Sequence, residues 1–145
     1  EIIAVYTTPI GRPTGIRVIH DDTQLVRDYS YVGKSPFTIE DILDTDGKPG
    51  LEIVVRWPAL GPINGGSQPQ GIDIIHDTTR WVRTWNFTNL PWFEIKQITN
   101  LDLFPGSEIC VYIESVGSPP PQNYRILVDR NGALIQKYFR DGCKI

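Results

Sequence analysis

An all-β protein built from about three copies of one unit is what this sequence predicts. Three observations carry that reading: a segment that recurs at fixed spacing, apolar and polar residues alternating within short runs, and the lack of a helical stripe. GIRVIHDDTQLVRDYSY, from Gly15, returns 56 residues later as GIDIIHDTTRWVRTWNF, from Gly71, with the glycine, His-Asp and Val-Arg coinciding. Self-similarity of this kind is the signature of a repeat architecture. Alternation with period two puts successive side chains on opposite faces of a strand, and no window keeps an apolar stripe at helical spacing beyond about two turns.

The elements follow in order. Glu1 to Val5, EIIAV, matches the segment from Glu52 and reads as the second strand of a unit. The hairpin from Gly15 turns at DDTQ. Phe37 to Leu43 is a first strand, DTDGKPG from Asp44 an acidic loop, and Leu51 to Trp57 a second strand. After the Gly- and Pro-rich connection Pro58 to Gln70, Ile72 to His76 and Trp81 to Phe87 form a hairpin that turns at DTTR. Phe93-Glu-Ile95 opens the next first strand, and NLDLFPGSEICV, Asn100 to Val111, repeats the acidic loop and second strand. Beyond Ser115 to Gln122, with three consecutive prolines, NYRILVDRNGALIQKYF from Asn123 gives a third hairpin. Its Asn131-Gly132 is the strongest short hairpin signal in the chain. Cys143-Lys-Ile145 stands where Phe37 and Phe93 begin first strands. The whole is expected to be one repeat domain, with units of roughly 1–35 (143–145 supplying a partial first strand), 36–90 and 91–142.

Strand, acidic loop, strand and hairpin in repetition resemble the FG-GAP or VCBS family, and the residues that carry the resemblance are Asp44-Thr-Asp46-Gly-Lys-Pro-Gly-Leu-Glu52 and Asn100-Leu-Asp102-Leu-Phe-Pro-Gly-Ser-Glu108. The resemblance covers nearly the whole chain. It implies four-stranded antiparallel β-propeller blades like those of integrin α subunits. It also implies Ca²⁺ held by alternate side chains of the acidic loop, here Asp44, Asp46 and Glu52, and in the second copy Asn100, Asp102 and Glu108. Lys48 and Phe104 interrupt the pattern. An ammonium has no lone pair to give a metal, and Ca²⁺ takes six to eight oxygens. The preferred reading of each loop is therefore an acidic turn, with Ca²⁺ as the alternative. A propeller needs at least four blades to close and this sequence holds about three, so the ring is expected to be incomplete within one chain.

Composition narrows the function. The chain has 145 residues, 40% of them hydrophobic, and a net charge of −3, without a basic run of the kind nucleic-acid binding requires. No apolar stretch approaches the roughly 18 residues that span a bilayer. There is no methionine, which reads as a processed or trimmed chain. Cys110 and Cys143 fit one disulfide or two free thiols equally. Asn86-Phe-Thr is a glycosylation sequon. His20 and His76 occupy one repeated place, each followed by Asp, but the third copy has Val128-Asp129. The aspartates are thus expected to start hairpin turns rather than to serve general-base chemistry.

Tyr29, Trp85 and Tyr138 recur in register and are expected in the core, whereas Trp57, Trp92 and Phe104 break register. With Asn64 these three are candidates for a binding surface, since aromatic faces beside polar groups suit sugar rings or partner proteins. No catalytic spacing appears. The expectation is a non-enzymatic, extracellular interaction module that assembles through its blades, as a ring or fibre of copies or within a larger propeller. The alternative is a glycan-binding lectin using aromatics at blade junctions.

Overall fold

The structure is a computed structural model describing residues 1–20, 22–34, 36–57, 69–88, 92–113, 123–130, 133–139 and 142–144. These residues form eleven strands and no helix: β1 Ile2–Thr7, β2 Pro13–Ile19, β3 Val26–Ser30, β4 Thr38–Leu43, β5 Glu52–Trp57, β6 Gly71–His76, β7 Trp81–Asn86, β8 Phe93–Thr99, β9 Glu108–Ile113, β10 Tyr124–Arg130 and β11 Ala133–Phe139. They make three open antiparallel sheets: a first of order β1-β2-β3, a second β4-β5-β6-β7 and a third β8-β9-β10-β11. The strands expected from alternation are present, Leu51 to Trp57 beginning one residue later than expected. Both long connections lie largely outside the described residues, as does the Asn131-Gly132 turn.

The second sheet is apolar on both faces. Ile53, Val55, Trp57 and Ile75 pack with Phe37 against Ile16, Val18 and Tyr31 of the first sheet's side. Val54, Ile72, Ile74, Trp85 and Phe87 pack against Phe93, Ile109, Val111, Ile113 and Leu127 on the third sheet's side. Every residue of β6 is buried. A strand whose two faces are both removed from water gains about 1.5–3 kcal/mol for each fully buried Ile or Val, so the alternation of β5 draws a sheet onto either side of it. Tilted ring pairs at repeated positions flank each crossing from sheet to sheet, Tyr31 with Phe37 at 4.5 Å and Phe87 with Phe93 at 4.9 Å between centroids.

Two features were not foreseen. Register slips between Ile39 and Asp41 and again between Ile95 and Gln97, a bulge at the same place in the first strand of the second and third sheets. The third sheet's far face is also covered: Cys110, Ile126 and Val128 are buried, with Leu101, Tyr124, Phe139 and Cys143 packed over them. Of the three aromatics expected in the core, Trp85 is buried, Tyr29 is half-buried, and Tyr138 is 53% exposed with the Arg125 guanidinium over its ring.

Trp57 does not break the repeat. Its indole lies across Gly71, its cross-strand neighbour, as the ring of Tyr6 lies across Gly15. A Cβ on Gly71 would stand 2.4 Å from the Trp85 carbonyl oxygen and 2.5 Å from the indole, both fixed in the core. On Gly15 the nearest atoms it would meet are those at the phenol end of Tyr6, an exposed and flexible side chain that can turn aside. Gly71→Ala is therefore expected to cost about 2 kcal/mol in equilibrium urea unfolding, and Gly15→Ala less than about 1 kcal/mol.

Candidate functional site

The polar residues worth following are those buried between sheets. His20, at the end of β2, places Nε2 2.5 Å from Asp77 Oδ2 of the second sheet, and its Nδ1 3.0 Å from Glu1 Oε1. Arg27 approaches the same aspartate at 3.4 Å, and the Tyr29 hydroxyl donates to its other oxygen. Burial and that carboxylate push the Tyr29 phenol up. One unit further on the arrangement repeats: His76 Nε2 lies 2.5 Å from Asp129 Oδ2 of the third sheet, and Arg83 3.4 Å from its Oδ1. Each histidine thus reaches the aspartate of the next unit, while Asp21, beside His20, lies outside the described residues. Asp77 is 4% and Asp129 1% exposed, and such buried carboxylates require partners of this kind.

The first acidic loop is organised by its own main chain. Asp44 Oδ1 accepts from the N–H groups of Asp46 and Gly47, Asp46 Oδ1 from Lys48 N–H, and Glu52 Oε2 from Thr45 N–H at 2.8 Å. Asp44 faces its own backbone and stands apart from the other two carboxylates. Asp46 Oδ2 and Glu52 Oε1 instead face His76 Nδ1, at 3.9 and 3.7 Å, with all three side chains more than nine-tenths buried. Burial pushes the Glu52 carboxyl up. A hollow of about 110 Å³ opens beside them, lined also by Lys48, Thr78, Trp81 and Arg83. Lys48 Nζ is 3.5 Å from Asp46 Oδ2 but its side chain is 58% exposed.

The second loop copies the first up to one point. Leu101 N–H donates to Glu108 Oε2 as Thr45 does to Glu52, and Asn100 Oδ1 accepts from Leu103 N–H. Here the carboxylates are clasped by Arg130, which gives both amino nitrogens to Asp102, at 3.0 and 3.1 Å, and reaches Glu108 Oε1 at 2.5 Å. A guanidinium stands where the Ca²⁺ alternative for Asn100, Asp102 and Glu108 requires the ion. Phe104 lies under the same guanidinium, 5.2 Å from centroid to Cζ. The two loops also touch each other: Ser107 N–H donates to the Asp44 carbonyl, and a Cβ on Gly47 or Gly106 would stand 2.7 Å from the opposite loop. Both glycines hold a positive φ.

The remaining sequence candidates are scattered. Trp57, expected on a binding surface, is 3% exposed and part of the core, because its indole fills the space over Gly71. Trp92 is half-buried beneath the Arg56 guanidinium, and Asn64 lies outside the described residues. No shared aromatic surface forms among them. Asn86, at the end of β7, is exposed and accepts from Thr88 N–H. Cys110 and Cys143 are joined in a disulfide, which pins the covering segment to β9. Sequence reading missed Arg130 and the partners of the histidines. The signal for the former was the third copy's change from His-Asp-Thr to Val-Asp-Arg. Comparison with family models, curated proteins and solved structures finds no match to this chain.

Two outcomes follow from these contacts. Arg130 holds the Asp102 carboxyl below its ordinary 3.8, so the contribution of that pair is full above the ordinary carboxylate range and is lost as pH falls through the depressed value. Arg130→Gln, which leaves the fully buried Glu108 uncompensated, is expected to cost about 3 kcal/mol at neutral pH and to flatten the acid limb of a stability-against-pH curve measured by denaturant unfolding. Replacing Cys110 and Cys143 together by Ser opens a loop with a sequence separation of 33 and is expected to cost about 3–4 kcal/mol in the same assay.

Proposed function

We propose that the chain is a non-enzymatic interaction module made of propeller-type blades, working outside the cell, and that it associates through the open side of its three-stranded sheet. The observation that carries this is a difference between equivalent faces. In the second and third sheets the first strand, β4 or β8, pairs along the second strand, whereas among the described residues no strand pairs along the equivalent edge of β1. The outward face of the first sheet bears Ile2, Tyr6 and Val26, exposed by 59%, 37% and 49%. The counterparts of Ile2 and Tyr6, Ile53 and Trp57, are 1% and 3% exposed because a neighbouring sheet covers them, whereas Val82, the counterpart of Val26, is itself exposed; the Arg17–Asp28 ion pair lies between Tyr6 and Val26 on the outward face.

An apolar strand without charge or proline along a free edge invites pairing with another chain. The partner proposed for both edge and face is a second copy of this module, whose own β1 edge and outward face can meet the first in the same way. Among the described residues the third sheet's far face is covered over Cys110 and Ile126, both fully buried, which disfavours head-to-tail addition there. Contact through the first sheets of two copies is isologous and closes as a dimer. The disulfide supports an oxidising, extracellular location.

Light scattering coupled to size-exclusion chromatography tests the proposal. A concentration-dependent dimer is expected, which Ile2→Lys with Tyr6→Lys converts to monomer while Val32→Lys, exposed elsewhere, does not. A monomer at every concentration, with β1 amides protected from hydrogen exchange, would sink it.

A further inference from the structure

The structure assigns a binding site for a divalent first-row transition ion such as Zn²⁺ to His76 Nδ1, Asp46 Oδ2 and Glu52 Oε1, with Asp129 as the residue that orients the imidazole. This ligand set differs from the acidic-loop set considered above: it omits Asp44, takes an imidazole from β6, and suits an ion that favours nitrogen.

Three independent features meet there. First, Nδ1 faces two carboxylate oxygens at 3.7 and 3.9 Å, too far for hydrogen bonds, although all three side chains are more than nine-tenths buried. In the corresponding place of the first sheet, Glu1 closes on His20 Nδ1 at 3.0 Å, so the gap belongs to the second unit alone. Donor atoms about 2.1 Å from a tetrahedral ion stand about 3.4 Å from one another, and the three here, all within 4.8 Å, need only small rotations to reach that spacing. Second, the other ring nitrogen is already held by Asp129 Oδ2 at 2.5 Å. A carboxylate on the far nitrogen fixes the tautomer that leaves the near nitrogen's lone pair free, the arrangement found behind metal-bound histidines. Third, the adjoining hollow of about 110 Å³ has room for the water that completes a four-coordinate shell.

Charge agrees with geometry. Asp46, Glu52 and Asp129 converge here against Lys48 and Arg83, and Arg83 faces Asp129 rather than the gap. Lys48, mostly exposed, is the group an arriving ion displaces. In the third unit, Val128 stands where His76 does and Arg130 already neutralises the loop; in the first, Glu1, His20 and Asp77 also cluster, but the two carboxylates already close on both ring nitrogens at 3.0 and 2.5 Å, so one ion per chain is expected.

The metal-free protein is titrated with Zn²⁺ by calorimetry, with Co²⁺ followed by visible absorption, and with Ca²⁺ as the oxygen-seeking comparison. Each histidine nitrogen is followed by long-range ¹⁵N correlation. One equivalent of Zn²⁺ is expected, with a shift at His76 Nδ1 and none at His20. Asp46→Asn is expected to weaken binding by more than roughly tenfold, Asp129→Asn by roughly tenfold, and Lys48→Gln to strengthen it. Lys48→Gln alters an exposed side chain, so the test survives if a buried variant fails to fold. No stoichiometric Zn²⁺ binding, binding that leaves the His76 signal unmoved, or equal affinity in Asp46→Asn would overturn the assignment.

Discussion

The structure depends on a sheet that cannot face water on either side. In β5, odd residues Ile53, Val55 and Trp57 are as apolar as Val54 between them, and in β6 Ile72 and Ile74 oppose Ile75. Alternation here separates two buried faces rather than a wet one from a dry one. Such a sheet is stable only between two others, and everything else in the molecule concerns how the flanking sheets meet the same condition. The third does so with its own covering segment and a disulfide. The first leaves an apolar face with an ion pair, Arg17 with Asp28, at its centre.

Burial on this scale makes each polar group between the sheets accountable. Desolvated carboxylates are tolerable only with partners, and the repeat supplies them from the neighbouring unit rather than from the same one. Histidine to aspartate, twice over, ties first sheet to second and second to third with an orientation that apolar contacts alone lack. Where the series stops, at Val128, a guanidinium from the same sheet takes over. The polar stitching is therefore directional along the stack, and its last member is self-sufficient.

Much of this was legible in the sequence. Period-two alternation reports faces, and a repeat spacing reports equivalence, so strands such as Trp81–Asn86 could be placed within a residue. What sequence could not report is which face meets which sheet. His76 finds Asp129 across 53 positions, a distance that no local pattern encodes. Trp57 looked like a departure because residue type was compared along the strand alone; Gly71 opposite, lacking a Cβ, was the clue that an indole lies over it. The bulges at Glu40 and Lys96 fell between residues whose alternation continues on both sides, which hides an inserted position.

The bond between Cys110 and Cys143 also sets a path for mechanical load. Tension applied beyond residue 143 passes through sulfur to the middle of β9, which is paired on both sides, and so bypasses the β10–β11 hairpin. An edge hairpin pulled from its end unzips one hydrogen-bonded pair at a time, whereas a strand gripped at its centre must shear many pairs at once. The covalent clasp thereby spares the edge hairpin from peeling and hands the load to an inner strand.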